Sequence, residues 1–295
     1  MFLVIGATGT VGRETVNLLL ESGRKVAAVT RDPATAALPG GAHVVAGDPS
    51  RPDTLTSLPD VVEAVLLGPR AAGSASSELL SLAAARGARR VVVLSAATVE
   101  HPVGHPRFIE EFKRAEAAAR ESGLLWTFLR CADFAANALA WAPQIRATGV
   151  VRGAYGGAAT SPIHHRDIAE VAVAALTDPA HAGRAHLLTG PQSITQYEKV
   201  RIIGAAIDRA LTFRELAPEQ IRQAMLAQGL PEDIPDRLLG SLADYADRPG
   251  PTTGTVERLL GRPALTFAAW AADNAAAFTA RPVSSASASG REDHA

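Results

Sequence analysis

The sequence predicts an α/β fold: a doubly wound parallel Rossmann sheet with a smaller, mostly helical C-terminal substrate lobe. Three observations carry this expectation. Short apolar, β-branched runs alternate with amphipathic stretches through the first half of the 295 residues. The opening "MFLVIGATGTVGRETVNLLL" joins the first such run to the first helical stretch through a glycine-rich turn. After about residue 131 the alternation gives way to helical, loop and short-strand pieces. Strand and helix in alternation imply parallel pairing, because each crossover must return over the sheet and cover one of its faces.

In chain order, strands are expected over 2–5, 26–30, 43–46, 64–67, 90–95 and 125–130. Helices are expected over 11–22, 74–86 and 106–122. Further on, a strand over 186–189 leads into "TGPQSIT", where Thr195 has the side chain of a helix N-cap. The expected division is a dinucleotide-binding domain over 1–150 with a return segment near 161–190, a lobe over 191–279, and a disordered tail over 280–295, which is small, polar and patternless.

Composition narrows the class. A net charge of −1 gives no reason to expect nucleic acid or a membrane surface as partner. The single cysteine, Cys131, excludes an internal disulfide and any cysteine-based metal cluster. No apolar run reaches the length of a bilayer span, and Met1 leads straight into the first strand, so a cytoplasmic protein without a signal peptide is expected. Apolar helices near the C-terminus offer a face for a homodimer.

The glycines have a chemical reading. Gly6, Gly9 and Gly12 follow a strand and open a helix, which lets the backbone approach a pyrophosphate at the positive end of that helix. Thr8, Thr10 and Val11 complete this loop as cofactor-contacting positions. NAD-preferring sites place an acid at the end of the second strand; here "AAVTRDP" has Arg31, whose guanidinium can pair with a 2′-phosphate. Asp32 follows and can turn away into its own loop, and Arg31 has the alternative of a solvated loop arginine. NADP(H) is the expected cofactor. Arg13 is a second candidate phosphate contact, with a surface role as its alternative. Asp48, ending the third strand, suits the adenine edge or an Asx-type turn. Leu67 and Gly68 end the fourth strand beneath the middle of the cofactor.

The motifs "GATGTVG", "VTRDP", "VVAGD", "VVVLSA", "EEFKRAEAAARESGLLWTFLRCADFAAN" and "HHRDIAEVAVAAL" occur in an order that resembles the NmrA-like group of atypical short-chain dehydrogenase/reductases. The resemblance implies an NADP-binding Rossmann domain with a small lobe. Some members of the group reduce quinones or other carbonyls, and others bind the dinucleotide without turnover as redox sensors. It also implies that Lys113 binds the nicotinamide ribose, with an exposed pairing to Glu110 or Glu116 as the alternative. Ser95 takes the place of the superfamily's catalytic serine. In "LRCADFAAN", Phe134 would cover the nicotinamide or serve the core, Cys131 would line the cofactor as a small apolar side chain, and Asn137 would anchor the substrate lobe; Phe134, Asn137 and Tyr155 would line the substrate pocket.

This chain departs from ordinary reductases of that superfamily in having no Tyr-x-x-x-Lys: Glu21, Ile109 and Thr195 stand four residues before its three lysines. Replacement acids are His105, Tyr155 and the pair His164–His165. The adjacent histidines lack a third ligand at suitable spacing, so no metal is expected. A quinone or conjugated acceptor is favoured, since its reduced oxygens need less help from an acid. The expected function is NADPH-dependent reduction of such a small molecule. The alternatives are a non-catalytic NADP(H) sensor acting through a protein partner, and a redox-neutral isomerase or cyclase.

Overall fold

The computed structural model describes residues 1–279; the expected disordered tail lies outside the described residues. The Rossmann strands are β1 (Phe2–Ile5), β2 (Val26–Thr30), β3 (His43–Ala46), β4 (Ala64–Leu67), β5 (Arg90–Ala96), β6 (Leu125–Cys131) and, after the lobe's first segment, β9 (Arg184–Leu188). All pair in parallel, in the order β3-β2-β1-β4-β5-β6-β9. The order reverses between β1 and β4, so the helices fall on opposite faces and a crevice opens at the strands' carboxyl ends.

Both faces of the sheet are covered, which is why its strands are apolar runs rather than alternating ones. On one face α1 (Thr10–Glu21) and α6 (His165–Thr177) bury Val4, Val16, Leu66, Val92, Leu129 and Ile168. On the other, α3 (Ser76–Ala85) and α4 (Glu110–Glu121) bury Leu3, Ile5, Leu67, Val91, Val93 and Phe128. The short α2 (Pro69–Ala72) leads from β4 toward α3. The helix expected over 106–122 is interrupted: Pro106–Phe108 forms a 3-10 turn before α4 begins at Glu110. The strand expected over 186–189 begins two residues earlier, because its register against β6 is set by Thr127 opposite Arg184.

The lobe contains α5 (Ala142–Thr148), β7 (Val150–Gly153), β8 (Ala159–Thr160), β10 (Ile194–Thr195), α7 (Gln196–Ala206), β11 (Thr212–Glu215), α8 (Pro218–Ala227), α9 (Asp233–Asp247), α11 (Phe267–Asp273) and α12 (Ala275–Thr279). β7 pairs with β11 in parallel and β8 with β10 antiparallel. Its core gathers Ala135, Ile145, Val151, Ile203, Phe267 and Trp270. Residues 135–148 therefore pack with the lobe, although they precede residue 150. The intervening α10 (Thr255–Leu260) buries Val256 in the α1–α6 layer. Thr195 caps α7 in a reciprocal capping box with Glu198.

α9 ties the lobe to the crevice. Gly104, in the β5–α4 loop, has a left-handed φ of 67°. A Cβ there would meet Ser241 Oγ at 2.9 Å, and the Gly104 N–H donates to Asp244 Oδ2 at 2.6 Å. One residue further, the Tyr245 ring packs against Gly250, whose N–H donates to Ala159 O at 3.0 Å.

Candidate active site

The glycine loop forms a cradle that side chains would fill. A Cβ on Gly12 would stand 2.1 Å from Gly6 O, and one on Gly68 would stand 2.8 Å from Ile5 O. Gly6 adopts a φ of 90°, and the Gly9 N–H closes the turn onto Gly6 O at 3.0 Å. No side chain caps the N-terminus of α1, which leaves its first N–H groups and its dipole directed at the loop. Thr8 and Thr10 are exposed there, while Val11 is buried in the layer behind.

Beside the loop lies a cavity of about 180 Å3, lined among others by Gly6, Thr8, Arg31, Asp48 and Arg70. Asp32 is committed to its own turn: it accepts from the Ala34 and Thr35 N–H groups and from Thr35 Oγ1 at 2.7 Å. These bonds, led by the Thr35 hydroxyl, hold its carboxyl below the usual range. Arg31 is exposed at the cavity, and no carboxylate pairs with it among the described residues. Asp48 makes an Asx turn with Ser50, whose hydroxyl donates at 2.8 Å, and keeps a place in the lining. Arg13 instead bonds the carbonyls of Ala36 and Ala37. Leu67 is fully buried, so Gly68 is the residue of that pair whose backbone faces the loop. An uncapped helix end, an unpaired guanidinium and a glycine cradle are the donor set that a phosphorylated dinucleotide requires.

Toward β5 and β6 the residues are drawn from further apart. Ser95 is buried and donates to Glu116 Oε1 at 2.7 Å. Arg130 forks onto the same carboxylate at 3.0 and 2.8 Å, and Arg120 adds a contact at 3.1 Å. Burial pushes Glu116 up, but the bonds from Arg130 and Ser95 outweigh it and hold the carboxyl below its ordinary value. Lys113 lies half-exposed on α4, paired with Glu110 at 3.1 Å. Glu116 thus faces inward to Ser95 while Lys113 takes the i−3 partner. Cys131 is buried beneath this region, where desolvation pushes its thiol up and leaves it unreactive.

Phe134 bridges to Ile163 and packs against the α1–α6 layer. The Asn137 amide donates to Asp133 Oδ1 at 2.8 Å. Asp133 Oδ2 accepts from Lys199 Nζ at 2.8 Å and from Thr160 Oγ1 at 2.9 Å, and Lys199, itself buried, also donates to Thr160 at 2.7 Å. Burial pushes Asp133 up, yet the Lys199 ammonium prevails and lowers it. Sequence reasoning missed Asp133, Thr160, Lys199 and Tyr245. One signal was present: a lysine on the apolar face of α7 in a chain with only three lysines. Tyr245 is pushed up to about 12 by burial and by the carboxylates of Asp133 and Asp244.

The replacement acids are dispersed. Tyr155 occupies the β7–β8 turn at a φ of 53°, beside Gly156, whose N–H donates to Glu215. His105 accepts from the Arg107 N–H at 3.2 Å and lines a separate cavity of about 510 Å3 under α8 and α9. His164 caps α6 and lies 3.3 Å from Asp273, with His165 stacked on it at 4.6 Å between centroids. Among the described residues no group of three or more potential ligands gathers for a metal, and no helix is long and apolar enough to cross a membrane.

Strand order, glycine loop and crevice define a dinucleotide-binding Rossmann protein. The chain belongs to the NAD(P)H-binding family, whose model matches residues 6–179. It is 37% identical over 280 residues to the (4-alkanoyl-5-oxo-2,5-dihydrofuran-3-yl)methyl phosphate reductase of Streptomyces griseus, covering 94% of this chain and 99% of the relative. It is 35% identical to the NAD(P)H azoreductase of Xenophilus azovorans, covering 95% and 100%. Its fold matches that of the NADPH complex of a quinone oxidoreductase from Escherichia coli, with a TM-score of 0.77 at 23% identity over 92% of this chain and 99% of that one. The chain is an oxidoreductase that uses NAD(P)H.

Proposed function

We propose that the protein reduces a quinone or another conjugated carbonyl compound, a small molecule, with NADPH in preference to NADH. The observation that carries this reading is the residue four positions before Lys113: Ile109, buried and apolar, stands where an ordinary reductase of the fold has its tyrosine acid. An acceptor that spreads developing charge over a conjugated system tolerates that loss; an isolated ketone does not. The conjugated dihydrofuranone named for the Streptomyces griseus relative supports the same class of acceptor. The committed carboxylate of Asp32 beside the unpaired Arg31 supports NADPH over NADH.

Bound NADPH would supply a hydride to the acceptor. In this reading the N-terminus of α1 and the glycine loop hold the pyrophosphate, and Arg31 pairs with the 2′-phosphate. Lys113 leaves Glu110 to hold the nicotinamide ribose. Ser95, kept in place by Glu116, lines the cofactor, with Phe134 and Asn137 on the acceptor side and Tyr155 or His105 delivering a proton. A cytoplasmic location and a homodimer formed through the C-terminal helices complete the reading.

The test is calorimetric titration with NADPH, NADP⁺, NADH and NAD⁺, followed by menadione turnover. NADPH binding ahead of the other three, with menadione reduced, is the expected result. Preferential binding of the oxidised forms without turnover would replace this reading with a dinucleotide sensor.

A further inference from the structure

The lobe brings a phenol to the segments that leave the carboxyl ends of β5 and β6. Tyr245 lies half-buried on α9, between two fixed contacts. On one side its neighbour Asp244 accepts from the Gly104 N–H at 2.6 Å, which pins α9 to the loop after β5. On the other its ring faces Gly250, where a Cβ would meet Cε1 at 3.0 Å and Cζ at 3.6 Å. The Gly250 N–H donates to Ala159 O at 3.0 Å. Ala159 precedes Thr160, whose hydroxyl donates to Asp133, just past the end of β6. Ligands of a doubly wound sheet bind beside such strand ends.

The polar groups around it are spent, and its hydroxyl is not. Asp133 accepts from Asn137, Thr160 and Lys199, and Lys199 also donates to Thr160. The phenol of Tyr197 is bonded to Glu215. The Tyr245 hydroxyl has no hydrogen-bond partner among the described residues. The enclosed side-chain polar atoms without a partner there are Ser76 Oγ and His165 Nδ1, so the Tyr245 hydroxyl opens outward. Burial and the carboxylates of Asp133 and Asp244 push this phenol up to about 12, so it keeps its proton through the neutral range. A half-buried O–H that is free, open and protonated is a ready donor to a ligand oxygen.

We propose that Tyr245 donates a hydrogen bond to the carbonyl oxygen of the acceptor. It holds and polarises that oxygen without giving up its own proton, which leaves protonation of the product to another group. The assignment rests on the reading of the crevice as a reductase site and names the residue that recognises the acceptor's oxygen there.

The experiment uses the full chain saturated with NADP⁺, and equilibrium dialysis against menadione and against 2-methylnaphthalene. The two probes share a carbon skeleton, and only menadione carries carbonyl oxygens. Tyr245→Phe removes the hydroxyl alone. It is expected to weaken menadione binding about fivefold while 2-methylnaphthalene changes by less than about twofold. A variant that melts lower than the parent is still informative, because lost packing weakens both probes alike and a lost hydrogen bond weakens menadione only. An equal change for both probes, or an unchanged menadione affinity, would overturn the assignment, as would failure of the unmodified protein to bind menadione. Failure of the reductase reading is distinguishable, because it shows as absent menadione turnover by the unmodified protein whatever the dialysis gives.

Discussion

The cavity beside the glycine loop is drawn from one stretch of chain, Gly6 to Gly73, whereas the polar side chains toward the lobe, Ser95, Glu116, Asp133, Thr160, Lys199 and Tyr245, come from six different elements and loops. At the first end backbone geometry shapes the cavity, and its open groups are the N–H donors of α1 and the guanidinium groups of Arg31 and Arg70. At the second, Ser95 bonds to Glu116, and Asp133, Thr160 and Lys199 bond to one another, so these side chains are already held in place. The contrast shows that the geometry of the glycine loop is held in local sequence, while the polar clusters toward the lobe depend on how the lobe docks.

If that contrast is right, the largest effect comes from closing the cradle. Gly12→Val places a side chain where a Cβ alone would stand 2.1 Å from Gly6 O, so the turn must open. Dinucleotide affinity should fall by more than about a hundredfold in calorimetry, corresponding to about 3 kcal/mol of lost loop contacts. Retained affinity would mean that the loop is not the pyrophosphate site.

At the other end, Lys199→Met leaves Asp133 without its buried cation. Urea unfolding should show a loss of about 3 kcal/mol, partly recovered in the double variant that adds Asp133→Asn. A loss below about 0.5 kcal/mol would indicate that the pair behaves as an exposed one.

Arg31→Ala should reduce the preference for NADPH over NADH by about tenfold while leaving NADH binding near its original strength. An equal loss for both cofactors would return Arg31 to the role of a loop arginine.

The last effect belongs to a site remote from both ends. Burial, together with His181 and Arg184, pushes His186 on β9 down to about 4. The unfolded chain, with an ordinary histidine near 6.5, binds the proton first as pH falls. Stability should therefore decline from about pH 6.5 toward about pH 4 and gain no further penalty from this group below that. His186→Gln should flatten the decline in urea midpoints between pH 7 and pH 5; an unchanged slope would point to other groups.

Much of the fold was legible because the sheet's strands are apolar runs bounded by turn residues, and the ranges expected for β1, β2, β3 and β4 coincide with those observed. The Thr195 cap was legible for a similar reason, since a capping box spans only four residues. The break at Pro106 was less so, as proline is compatible both with a helix start and with the 3-10 turn that forms there. The pairing of Lys113 with Glu110 was one of two helical spacings on offer, and the choice was made by Ser95 and Arg130, which draw Glu116 inward.

The sequence alone determined a doubly wound sheet, a glycine loop at the end of its first strand and an arginine just after its second. These follow from interactions within a few residues of one another. Only the tertiary structure decided that Asp133 meets Lys199 across 66 positions and that Asp244 of α9 reaches Gly104 of the β5–α4 loop across 140. The physical reason is that neighbours at the carboxyl edge of a parallel sheet are set by strand order and by the angle at which the lobe docks. Neither is written into the separation of residues along the chain.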